Sequence, residues 1–161
     1  MEFSEQDYVV YPRYGVGRVM GVTQKKFAGQ TEKCLGIKFD HQNLSLFIPL
    51  HRIDKVRLRK VMSKTTATQV ISSMKQRARF DPKQTHKDRL KDYQVKFNTG
   101  DPLEMAEVAR DLARLSKRQE LSMEEEGLCR ESITLLAHEI AILRNRETAA
   151  VRENLEKLLY R

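Results

Sequence analysis

The 161-residue chain is 40% hydrophobic and 32% charged, with a net charge of +8; that is apolar material for one ordinary domain or two small ones. It holds no apolar run of about eighteen residues, which excludes a membrane-spanning helix. Its opening MEFSEQDYVV places acids where a secretory leader needs basic residues, so a cytoplasmic protein is expected. A balance this basic favours a polyanionic partner, nucleic acid being the commonest.

Residues 1–61 read as short strands. Tyr8-Val9-Val10-Tyr11 is a β-branched and aromatic run that ends at the turn signal Pro12-Arg13-Tyr14-Gly15, with Gly17 close behind. Arg18 to Lys26 follows, then Gly29-Gln30 as the expected hairpin turn. Lys33 to Phe39 alternates, with Leu35, Ile37 and Phe39 on one face. A polar turn over Asp40 to Asn43 leads into Leu44 to Ile48, ending at Pro49, and Val56 to Arg59 is expected to add a last short strand. Five such strands joined by tight turns predict a small bent barrel or sandwich.

From residue 62 the period becomes helical. A first helix is expected from about Ala67 to Arg79, ended by Asp81-Pro82, and a second from about Gln84 to Phe97, stopping at Gly100. Asp101-Pro102-Leu103-Glu104 has the cap, the first-turn proline and the acid of a new helix start. That helix carries Met105, Val108, Leu112 and Leu115. Ser122-Met123-Glu124-Glu125 repeats the capping logic ahead of Leu128, Leu135, Leu136, Ile140 and Leu143, and a last helix spans about Thr148 to Leu159. The expected second domain, 62–161, is therefore a compact bundle of about five helices.

The charge is segregated. Lys55 to Lys96 contains thirteen Lys or Arg against Asp81, Asp88 and Asp92, a net +10 that leaves −2 for the rest of a +8 chain. Clustered cations suit phosphates, because each contact releases condensed counterions; a solvated charged face is the competing reading. Catalytic signatures are missing: there is no phosphate-cradling glycine loop, no GxSxG elbow, and no metal spacing among His41, His51, His86 and His138. Gly15-Val16-Gly17 reads as a tight turn. Cys34 and Cys129 stand far apart and read as buried small hydrophobes. A binding protein without cofactor or metal is expected, not an enzyme.

Val9-Val10-Tyr11-Pro12-Arg13-Tyr14-Gly15-Val16-Gly17 with Leu46-Phe47-Ile48-Pro49 resembles the polymerase-interacting domain of the CarD/CdnL family, shared with the transcription-repair coupling factor. Gly100-Asp101-Pro102-Leu103-Glu104-Met105-Ala106-Glu107-Val108-Ala109-Arg110-Asp111-Leu112 is similar to that family's GD…AEVVRDL segment, and Leu121-Ser122-…-Glu125 to its LS…E start. The resemblance implies an α+β chain: a Tudor/SH3-like β-barrel (1–61) docking on the lobe of the RNA polymerase β subunit by sheet augmentation, then a helical DNA-binding domain (62–161). It implies a nucleoid-associated monomer that holds promoter DNA at the upstream edge of the bubble and stabilises the open complex, notably at ribosomal RNA promoters.

By position, the resemblance places Lys25, Phe27, Phe47 and Pro49 on the polymerase-contacting strands, where exposed apolar residues beside a strand edge are also what augmentation needs. The competing reading is that Phe27 and Phe47 fill the barrel core. For DNA it implies Arg79, Lys83, His86, Lys87, Arg89 and Lys91. Family members usually carry a tryptophan wedge at the position of His86; this chain has no Trp, and imidazole buries less surface. Two other readings are a ribosome- or RNA-associated basic module and a nuclease using Asp40 or His41.

Overall fold

A computed structural model of the chain describes residues 3–39, 42–81 and 83–161. It divides into two compact units, Met1–Val61 and Met62–Arg161. Asp40, His41 and Pro82, invoked above in a nuclease reading, a turn and a helix end, lie outside the described residues.

The first unit is an antiparallel five-stranded sheet: β1 (Tyr8–Tyr11), β2 (Gly15–Phe27), β3 (Gln30–Phe39), β4 (Leu44–Pro49) and β5 (Arg59–Lys60), in the order β4-β3-β2-β1-β5. This is the strand order of the small Tudor-like barrel. Alternation sends Leu35, Ile37 and Phe39 of β3 inward, where they meet Val9, Val19, Ile48 and Leu58. Tyr11 and Tyr14 stack edge-on, ring centroids 5.1 Å apart, and both pack on Phe39.

Three local expectations need revising. The β2–β3 hairpin turns on Ala28-Gly29, both at positive φ (48° and 80°), because Phe27 pairs with Gln30; positive φ at both central residues matches the twist of the flanking strands. Gly17 lies inside β2, paired with Val9. A Cβ there would stand 2.5 Å from the Ile37 side chain and 2.9 Å from the Phe39 ring, so this glycine makes room for the barrel core. Val56 is not in a strand: the chain turns through residues 53–57, with Arg57 at φ 58°, and only Arg59–Lys60 pairs with β1.

The second unit packs α1 (Lys64–Met74), α2 (His86–Asn98), α3 (Pro102–Leu115), α4 (Met123–Arg144) and α5 (Thr148–Leu159). The first four helices start at side-chain caps, whereas α5 follows Glu147 with no side-chain cap hydrogen bond. Asp101 accepts from the N–H groups of Leu103 and Glu104, and Ser122 and Glu125 form a reciprocal capping box. Gly100 follows α2 at φ 73°. Ten of the fourteen residues of α3 are buried, which makes it the central helix of the bundle.

Helix α1 ends at Met74, not Arg79. Its last carbonyls are taken by arginines of α3: Arg110 Nη1 donates to Ser73 O (3.3 Å) and Arg114 Nη2 to Met74 O (3.0 Å). The described residues between α1 and α2, 75–81 and 83–85, form a non-helical connector. Its Phe80 packs on the core and its Arg79 N–H donates to Asp111 Oδ1 at 3.3 Å. No helix among the described residues is long and apolar enough to cross a membrane.

Candidate protein and nucleic-acid interfaces

In the sheet unit, two-residue periodicity puts Lys25 and Phe27 on one face of β2, and Phe47 and Pro49 on one face of β4. The strand register joins the two rows: Gly36 of β3 pairs with Phe47, and Cys34 with both Thr23 and Pro49. Lys25 Nζ sits 4.2 Å from the centroid of the Phe47 ring, a cation–π contact across this outer face. Neither Phe27, 43% exposed, nor Phe47 belongs to the barrel core cluster, which removes the reading that they fill it.

A Cβ on Gly36 would lie 3.1 Å from Met20 Cε and 3.2 Å from Phe47 Cε1. The bare backbone at Gly36 is therefore the floor on which Met20 and Phe47 lie. Sequence reasoning missed Met20, because a bulge between Val19 and Gly21 breaks the alternation that would have placed it. Among the described residues β4 pairs only with β3, so its other edge is open beside this patch.

In the helical unit the connector and α2 carry the expected basic residues. Thr85 caps α2 by accepting from Asp88 N–H, so His86 is the first helical residue. Arg79, Lys83, Lys87 and Lys91 are exposed. Lys87 and Lys91 stand one turn apart on α2, and Lys83 precedes them at the positive end of the helix dipole.

Arg89 is different. Its Nε and Nη2 donate to Glu125 Oε1 at 2.9 and 2.7 Å, its side chain is 14% exposed, and Glu125 is fully buried. Arg89 is thus spent on pinning α2 to the first turn of α4 and is not an open phosphate ligand, which corrects the expectation drawn for it. His86 Nδ1 lies 3.0 Å from the same carboxylate oxygen, while the ring remains 53% exposed. Its anchoring orients the imidazole with its other edge in solvent.

The Arg110-Asp111 pair of α3 is also structural. Arg110 Nε donates to Asp111 Oδ1 at 2.9 Å with both side chains 3% exposed. Asp111 Oδ2 also accepts from the Tyr93 hydroxyl at 3.2 Å. Burial first, and then the Asp111 charge, push the Tyr93 phenol well above its ordinary value of 10.0. A group whose folded pKa is raised adds stability that is complete below the unfolded pKa and is lost as pH climbs towards the folded one. The helical unit should therefore weaken above about pH 10, and Tyr93→Phe should flatten that alkaline slope in urea titrations. Tyr160, raised by burial and the neighbouring Cys129, and Cys129 itself, raised by burial, add to that slope.

Both cysteines are buried and free, and burial raises the Cys129 thiol. Among the described residues no three His, Cys, Asp or Glu side chains are grouped to hold a metal ion.

Two family models cover the chain in order: the CarD-like/TRCF RID domain over residues 3–62 and the CarD C-terminal domain over residues 69–156. The chain belongs to the CarD family. This CarD-family chain is 28% identical over 142 residues to the putative transcription factor YdeB of Bacillus subtilis (strain 168), covering 88% of this chain and 92% of that protein. It is also similar to the solution structure of the 72-residue N-terminal domain of Myxococcus xanthus CarD, at 27% identity and a TM-score of 0.31. That match covers 37% of this chain and 79% of the other. Within the CarD family's C-terminal region, Arg110 and Asp111 are core residues here, whereas Arg79, Lys83, Lys87 and Lys91 are exposed.

Proposed function

We propose that this CarD-family transcription regulator binds RNA polymerase through its sheet unit and promoter DNA through its helical unit, stabilising the open complex from the upstream edge of the bubble. The observation that carries the reading is the outer face of the sheet. Phe47, with Lys25 stacked on it and Met20 beside it, adjoins the open β4 edge, the arrangement by which an extended partner strand is captured: edge amides give affinity and neighbouring side chains give specificity. Pro49 offers no N–H, so pairing along β4 runs toward Leu44. The partner strand is assigned to the lobe of the polymerase β subunit, and the protein acts as a monomer in the cytoplasm, on the nucleoid.

Arg79, Lys83, Lys87 and Lys91 supply phosphate contacts to DNA, with His86 at the bubble edge in place of an indole. Arg89 positions α2 for that contact. No reaction is catalysed: a factor that prefers the melted promoter shifts the equilibrium by its differential affinity alone. Ribosomal RNA promoters, whose open complexes gain most from such a factor, are the proposed targets.

Phe47→Asp tests the polymerase contact. The substitution puts a charge on the outer face without touching the barrel core. It should weaken binding to the polymerase β lobe by about 30-fold, the loss of roughly 2 kcal/mol expected at a contact hot spot. Retention of the unaltered protein and the variant in equal amounts by the immobilised β lobe would refute the assignment.

A further inference from the structure

A second basic feature of the helical unit lies away from the residues assigned to DNA. The last turn of α3, the end of α5 and the first half of the connector enclose an open groove of about 360 Å³, lined by Arg77, Phe80, Arg114, Lys117, Arg118 and Arg161. With Ala78, five of its seven lining residues are cationic, and none is Asp or Glu. Arg114 is occupied. It donates to Met74 O at the end of α1 and to Leu158 O (3.2 Å) and Leu159 O at the end of α5, quenching the negative ends of two helices. That leaves Arg77, Lys117, Arg118 and Arg161 exposed, and among the described residues none of the four is paired with an Asp or Glu side chain. Arg118 rests over the Phe80 ring, 5.7 Å from its centroid.

Uncompensated cations converging on a concave surface focus positive potential and raise the local concentration of anions. Guanidinium forks match phosphate oxygens, and one already resting over an aromatic ring loses less freedom on binding. In sequence, Arg77 is followed by Arg79 and then by Lys83, three residues before α2. A six-residue step can span at most about 20 Å, the rise of roughly six nucleotides along one strand.

We propose that this groove is a second phosphate-binding site of the protein, taking the backbone of the same DNA whose neighbouring phosphates meet Lys83, Lys87 and Lys91. The inference rests on the DNA contact proposed above, and its test keeps the two apart. The full chain is titrated with a short DNA duplex while NMR follows the Phe80 ring and the amides of α2. DNA is expected to move both sets of resonances. The triple variant Arg77→Gln, Lys117→Gln, Arg118→Gln should weaken binding at least about tenfold at 0.1 M salt and flatten the slope of log K against log salt by about 2–3, at roughly 0.9 per lost contact. If DNA moves the α2 amides but not Phe80, and the triple variant keeps the full slope, the groove is overturned while the α2 contact stands. Movement of Phe80 alone supports the groove and refutes the α2 contact. Silence in both overturns both. A parallel titration with inorganic tripolyphosphate identifies the phosphate source. A shift of Phe80 by tripolyphosphate and not by DNA would make this a site for free polyphosphate and overturn the assignment to DNA, as would preference for structured RNA of equal charge.

Discussion

Replacing Glu125 with alanine is expected to destabilise the helical unit by about 3–5 kcal/mol, the usual cost of stripping a buried charge of its counter-charge. Glu125 is fully buried and holds three things at once. It takes two hydrogen bonds from Arg89, faces His86 Nδ1 at 3.0 Å, and closes the capping box by accepting from Ser122 N–H at 3.3 Å. The alanine variant leaves the Arg89 guanidinium largely buried without its counter-charge and frees an N–H at the start of α4. In a unit of this size the loss should lower the thermal midpoint by more than about 10 °C; a fall of under 1 kcal/mol in urea titration would contradict the geometry. The same contact governs how variants of the DNA face are read. Arg89→Glu would set a second carboxylate against Glu125 and damage the fold, so its effect on DNA binding would not report a phosphate contact. Lys87→Glu and Lys91→Glu have no such neighbour and report it cleanly.

Asp111→Ala should cost about as much, roughly 3–4 kcal/mol, again from one side of a buried pair. Its carboxylate accepts from Arg110 Nε, the Tyr93 hydroxyl and the Arg79 backbone N–H. These groups tie α3 to α2 and to the connector that carries Arg79 and Lys83. Asp111→Asn, which keeps an acceptor oxygen, should recover part of the loss. Circular dichroism melts of the two variants give the order; equal stability of wild type and Asp111→Ala would show that the network carries no weight. Because the connector hangs on Asp111, this variant should also weaken DNA binding without altering any exposed cation.

What could be read from the chain, and what could not, follows the range of the interactions. Caps are local: Asp101 with Leu103 and Glu104, and Ser122 with Glu125, lie within four residues, and both helix starts were legible. The same holds for the inward face of β3. The end of α1 was not, because Arg110 and Arg114, which take its last carbonyls, come from 37 and 40 residues downstream. Arg89 read as a phosphate ligand for the same reason. Its partner is 36 residues away, in a segment whose acids read as a helix first turn. A count of charges cannot tell a cation that faces a buried carboxylate from one that faces water. The groove around Phe80 was invisible in the segregated +10, since Lys117 and Arg118 lie outside the Lys55 to Lys96 stretch and reach it only through the packing of α3 on the connector.

In the proposed function, one chain engages polymerase with its sheet unit and DNA with its helices. The lifetime of the open complex on a ribosomal RNA promoter measures both together. It should be long with the unaltered protein, and should fall to the factor-free value with either Phe47→Asp or the triple variant Lys83→Gln, Lys87→Gln, Lys91→Gln. A lifetime that the unaltered protein leaves unchanged, or that either variant extends as well as the unaltered protein does, would contradict that function.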